Sequence, residues 1–159
     1  MFTIEAKGLK KTMAWLMERK AGLEDVPSRF SQRDDLQRNF MDIAKTITDN
    51  TVYLSHPESP AYQRTHAIVD YIASEAAVNG KGIDVFLPVT PETQAGVRAH
   101  FKDGRMGEDP YALFFLTEYA PVWFRHGIEP RDFLALWPGA IEPSATDGFL
   151  EEVDKELAK

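Results

Sequence analysis

The stretch AIVDYIASEAAVNGKGIDVFLP, residues 67–88, decides the fold class. Its second half reads one way. GIDVFLP is short, β-branched and aromatic, and Gly82 and Pro88 bound it, so it predicts a strand. Its first half reads two ways. Across residues 66–78, Ile68, Ile72 and Ala76 recur at helical spacing, whereas Ala67, Val69, Tyr71 and Ala73 line one face of a strand. The polar turn NGKG at 79–82 favours the strand, because a glycine-rich turn between two apolar runs joins antiparallel neighbours.

Outward toward the amino terminus, SHPESP (55–60) is a loop with two prolines and TVYL (51–54) is too short to assign. Leu36, Phe40, Ile43 and Ile47 follow one another at spacings of four, three and four, so a helix runs from a Ser31 cap to Asp49–Asn50, with Asp34 and Asp35 at its positive end. LEDVPSRF (23–30) reads as a loop around Pro27. Leu9, Met13, Leu16 and Met17 form one face of an earlier helix that Gly22 ends, and FTIEA (2–6) alternates as a first strand, broken at Gly8.

Outward in the other direction, Thr90–Pro91 has the chemistry of a helix start, and Val97 and Phe101 face inward from that helix. KDGRMGEDP (102–110) is predicted to be a mobile loop. YALFFLTEYAPVWF (111–124) is predicted to be a strand that Pro121 ends or bends. Residues 127–148 hold three prolines and three glycines and read as mostly irregular, with 127–146 a second mobile stretch. Asp147 then caps a last helix whose face is Phe149, Leu150, Val153 and Leu157. The sum is a single α+β domain over 1–159, a small antiparallel sheet packed by two to four helices.

Composition narrows the function. A net charge of −7 with no lysine- or arginine-rich run argues against nucleic-acid backbone binding. There is no cysteine, which excludes disulfides, thiolate metal sites and a thiol nucleophile. No apolar run reaches the roughly 18–20 residues of a membrane helix, and MFTIEAKGLKK lacks the order of a secretion signal. The chain reads as soluble and made in the cytoplasm.

Motifs of catalysis are missing. His56, His66, His100 and His126 show no helical metal spacing, and no phosphate-cradling glycine loop or serine elbow occurs. The carboxylate pairs at 24–25, 34–35 and 151–152 suit helix starts and loops better than acid–base work. The aromatic band of Tyr111, Phe114, Phe115, Tyr119, Trp123 and Phe124 is core-like. As a strand, however, it points Phe114 and Phe115 to opposite faces, and an uncovered one would favour self-association.

Three segments in chain order carry a resemblance: FTIEAKGLKKTMAWL, PAYQRTHAIVDYI, and YALFFLTEYAPVWFRHGIEPRDFLALWPGAI with the charged helix after it. Together they resemble the tail-completion and head–tail connector proteins of long-tailed bacteriophages, also described as minor capsid or minor tail proteins. Tyr62, Arg64 and Thr65 match that family's R-T-G-x-L motif, with His66 in place of glycine and Ile68 in place of leucine. Tyr119–Ala120 matches its late strand, and Arg131, Phe133 and Leu134 its R-P-F-L stretch, with Asp132 in place of proline.

The resemblance implies a non-enzymatic structural protein of the virion, made in the host bacterial cytoplasm, with no cofactor and no metal. It implies self-assembly into a ring, by resemblance a hexamer, with other phage head, connector or tail proteins as neighbours. The expected contact residues are Tyr62, Arg64, Thr65, Arg105, Tyr119, Trp123, Arg131 and Phe133. Two other functions fit the composition. One is a small cytoplasmic enzyme whose site gathers His66, His100, His126 and nearby carboxylates; the other is an acidic inhibitor of a basic host protein.

Overall fold

A computed structural model of the protein describes residues 7–54, 62–63, 66–88, 90, 100–101 and 133–159. The first strand expected at 2–6, the loop at 102–110 and the aromatic strand at 111–124 lie outside them, as do most of the helix after Pro91 and the first part of the 127–146 stretch. The described residues form α1 (Lys7–Ser31), α2 (Asp34–Thr48), a π-helical turn (Asp49–Leu54), β1 (Tyr62–Gln63), α3 (Ala67–Tyr71), β2 (Ala73–Ala76), β3 (Ile83–Phe86), β4 (His100–Phe101), a 3-10 turn (Leu134–Leu136) and α4 (Trp137–Leu157). β2 pairs antiparallel with β3, and β1 with β4. This is an α+β fold dominated by its helices.

The central stretch holds a helix and a strand in succession, with Ala67, Val69 and Tyr71 of the strand pattern in the helix and Ala76 of the helical pattern in the strand. Residues 67–71 are helical, Ile72 turns to an extended conformation, and β2 begins at Ala73. The hairpin pairs Ala73 with Phe86 and Ala76 with Ile83. Its turn closes through the Ala77 N–H on the Gly82 carbonyl (2.9 Å) and the Gly80 N–H on the Ala77 carbonyl (2.7 Å). Gly80 sits at φ 66°, a conformation that glycine adopts without penalty.

α2 keeps its predicted limits, but Ser31 does not cap it. Ser31 is the last residue of α1, fully buried, and its hydroxyl donates to the carbonyls of Ser28 or Gly80. Arg33 takes the cap position, and Asp34 and Asp35 occupy the first turn as expected.

Two helices are longer than the sequence predicts. α1 continues through Gly22 and Pro27 for 25 residues, so 23–30 is helix and not loop. Pro27 has no N–H to give the Leu23 carbonyl, yet Val26, Phe30 and Ser31 around it are buried, and their packing outweighs the lost bond. α4 begins ten residues before Asp147, with Pro138 in its first turn and Pro143 inside it, so 137–148 is helical and Asp147 caps nothing. Its inward positions are Trp137, Ile141, Ala145, Gly148, Glu152 and Glu156, which leaves Phe149, Leu150 and Leu157 on the exposed side. His100 and Phe101, expected in a helix, form β4.

The core lies where α2, α3, the hairpin and α4 meet. Ala44, Val52, Tyr53, Ile68, Ile72, Phe133 and Trp137 form one buried cluster, and Phe30, Leu36 and Phe40 a second. Trp137 donates its indole N–H to Thr48 Oγ1 at 3.1 Å, which satisfies the polar atom of a buried ring. Gly148 lets α4 approach α2: a Cβ there would lie 2.7 Å from Leu36 Cδ1.

Candidate interaction surface

Helix α1 has two halves with different surroundings. From Arg19 onward it is clasped to α4. Arg19 donates to the Glu156 backbone carbonyl, and Arg29 Nη2 donates to Glu156 Oε2 at 3.1 Å. Arg29 Nε lies 3.5 Å from Glu152 Oε2. Arg33, just beyond α1, reaches Glu151 at 2.6 Å and Glu152 at 3.3 Å. Lys155 and Lys159 join Glu152 and Glu156 from α4's own last turns. The side chains of Glu152 and Glu156 are 8% and 6% exposed, and a carboxylate that buried must be paired. Gly22 makes room, since a Cβ there would collide with the Glu156 carboxylate.

The pairing holds these acids in their charged form. Lys155 first, then the charges of Arg33 and Arg29, keep Glu152 below the usual carboxylate range. Lys159 first, then the charges of Arg29 and Arg19, do the same for Glu156. Arg33 first, then Lys155, lower Glu151. Arg33 lowers Asp35 to about 2. Arg33 is in turn held charged by Asp35 and Glu151.

The first half of α1 is open to solvent along its described side chains. From Lys11 to Glu18 every side chain is exposed, with Trp15 at 53% and Met17 at 65%. Trp15, Arg19, Gly22, Val26 and Phe30 recur at spacings of four, three, four and four, so they share one side of the helix. Val26 and Phe30 are covered; Trp15, on the same side, is not, and Arg19 lies over its ring at 5.5 Å. Trp15, Leu16 and Leu23 with Leu157 border an open groove of about 510 Å³. A larger apolar groove of about 690 Å³ lies between the hairpin and α4, bordered by Phe30, Phe40, Ile83, Phe86, Trp137 and Ile141.

His66 sits at the start of α3 with φ 54°. Its Nδ1 meets Asp49 Oδ1 at 2.5 Å, and its ring stacks on Tyr53 with centroids 4.4 Å apart. The His66 carbonyl accepts from the N–H of Val69 and Asp70, and the Tyr53 hydroxyl accepts from the Ile68 N–H. The group ties the π-helical turn to the head of α3. His56 and His126 lie outside the described residues, as does the side chain of His100, so of the three histidines of the enzyme reading only His66 is seen beside a carboxylate. Among the described residues no group of three metal-ligating side chains converges.

Of the eight expected contact residues, Arg64, Thr65, Arg105, Tyr119, Trp123 and Arg131 lie outside the described residues. Tyr62 is the first residue of β1, opposite Phe101. Phe133 is a correction: it is 0% exposed, stacked against Trp137, and offers no surface to a neighbour. Met13, Leu16 and Met17, which read in sequence as one apolar helix face, are exposed, and so is Trp15. No helix among the described residues is long and apolar enough to cross a membrane. No protein-family model, no curated protein and no solved structure matches the chain.

Proposed function

We propose that this chain is a building block of a multi-copy protein assembly and, following the sequence resemblance, that the assembly is a ring at the head–tail junction or tail end of a phage particle. The observation that supports an assembly role is the bare half of α1. Large apolar side chains that stay exposed on a formed helix are the surface expected of a docking element. A helix that ended with its partner would leave no such surface. The phage setting rests on the resemblance alone. In this reading the protein binds only its protein neighbours and catalyses nothing.

Deleting the gene from its source element and viewing the induced lysate by negative-stain electron microscopy tests the setting. Separate full heads and unattached tails, or tails of uncontrolled length, are expected. Intact particles from the deletion strain would remove the virion role.

A further inference from the structure

We infer that the outer edge of β3 takes an extended segment of another protein as a third strand. The segment lies in the groove between β3 and α4 and alternates apolar and basic residues. This goes beyond the assembly reading and stands apart from it, since that reading concerns α1.

The backbone sets the first requirement. Among the described residues β3 has one strand neighbour, β2. The Ala77 N–H bonds the Gly82 carbonyl, and bonded pairs alternate along an antiparallel ladder, so Asp84 and Phe86 also turn their backbone groups to β2. Ile83 and Val85 turn theirs the other way, and among the described residues those groups meet no hydrogen-bond partner. Unpaired ladder groups on a strand edge are a template for another strand.

The groove sets the second. Ile83, Val85 and Phe86 all border it, although Phe86 points to the opposite face of the strand from the other two, and no β2 residue borders it. The groove therefore follows the free edge of β3 and not one face of the hairpin. Trp137 and Ile141 of α4 border it too, with Phe30 and Phe40. A strand added at the ladder spacing of about 4.8 Å would place every second side chain on the side of Ile83 and Val85, among these apolar groups.

Charge sets the third. On the other face of the hairpin Asp84 stands directly opposite Glu75; both are exposed, and like charges so placed are destabilising. Glu142 is exposed on α4 at the border of the groove. The glutamates that meet α1 are paired with arginine, whereas among the described residues no cation pairs with Glu75, Asp84 or Glu142. A lysine or arginine beside Asp84 on the added strand relieves the repulsion, and a chain of net charge −7 attracts such a segment.

The test uses the full chain and a short capped peptide of alternating lysine and valine. A control peptide has the same composition with its valines consecutive. Amide exchange is followed residue by residue by NMR. In the chain alone, the N–H groups of Ile83 and Val85 should exchange fast and those of Asp84 and Phe86 slowly. Saturating alternating peptide should slow Ile83 and Val85 by at least about tenfold, and the control should not. A variant carrying Asp84→Lys and Glu142→Lys should keep its circular dichroism, since both side chains are exposed, and should bind the peptide at least about tenfold more weakly. It should instead prefer a peptide of alternating glutamate and valine. No binding at about 1 mM peptide would overturn the inference. So would binding that leaves Ile83 and Val85 unprotected, or equal binding of the control. Slow exchange of Ile83 and Val85 without peptide, at low or high protein concentration, would also overturn it, because the chain itself or a second copy would then hold the edge.

Discussion

The two halves of α1 belong to one helix and have opposite fates. Residues 19–31 are clasped by α4 through Gly22, Val26, Phe30 and a row of arginine–glutamate pairs. Residues 11–18 carry apolar side chains as large, Met13, Trp15, Leu16 and Met17, and every one of them is exposed. The difference is made by where α4 stops and not by the composition of α1. Leu157 ends α4 beside Leu16 and Leu23, and Trp15 continues the side of α1 that α4 covers. Helix formation is thus supplied by one half and interaction surface by the other, since the clasped turns nucleate a helix that the bare turns extend.

This contrast can be broken from either side. The largest effect belongs to the body. Phe133→Ala empties a fully buried site beside Trp137 and should cost about 3–5 kcal/mol in urea unfolding. A loss under 1 kcal/mol would mean that Phe133 is not core.

Acid should act on the clasped half next. Glu151, Glu152, Glu156 and Asp35 all have folded-state pKa values below their ordinary ones. The unfolded chain therefore takes up protons first as pH falls, and stability drops with it. That contribution is full above the ordinary carboxylate values of 4.5 and 3.8 and is lost as pH falls toward about 2. Thermal melts from pH 7 down to pH 2.5 should show a falling midpoint, mostly below pH 5, and Arg29→Met should flatten the curve. A midpoint independent of pH would remove the clasp from the account.

Two glycines sharpen the comparison further. Gly22→Ala drives a Cβ into the Glu156 carboxylate, an overpacking of about 1–3 kcal/mol against about 1 kcal/mol of helix propensity gained, so a net loss of up to about 2 kcal/mol is expected. Gly139→Ala meets nothing within 4 Å and should be neutral or stabilising by up to about 1 kcal/mol. The smallest effect on folding belongs to the bare half: Met17→Ser should change unfolding stability by less than about 0.5 kcal/mol while weakening self-association.

Much of the fold was legible in the sequence where burial is carried by apolar side chains. α2 was set by Leu36 and Phe40, and the hairpin by Gly80, Gly82 and the β-branched run around Val85. Residues 66–78 contain two elements, a turn of helix and a strand, and neither of the two patterns followed the boundary between them, since Ala67, Val69 and Tyr71 of the strand pattern are helical. The long helices were missed where burial is carried by other means. The inward positions of α4 include Gly148, Glu152 and Glu156, which no apolar periodicity detects, and Pro138 and Pro143 read as breakers. Arginines on α1 and beside it meet those glutamates, so the pattern lay in charge pairing between distant segments. The interaction surface was illegible for a simpler reason. Met13, Leu16 and Met17 have the spacing of a core face, and only the tertiary structure shows that this face is exposed. Phe133 was misread in the opposite sense, as a contact residue, although it is the most deeply buried aromatic ring among the described residues.

Amide hydrogen exchange along α1, followed by mass spectrometry at low and high protein concentration, tests the central claim most directly. Residues 19–31 should be protected equally at both concentrations, because their partner is in the same chain. Residues 11–18 should exchange fast when dilute and slow when concentrated. Exchange in 11–18 that is slow at both concentrations, or fast at both, would contradict the account.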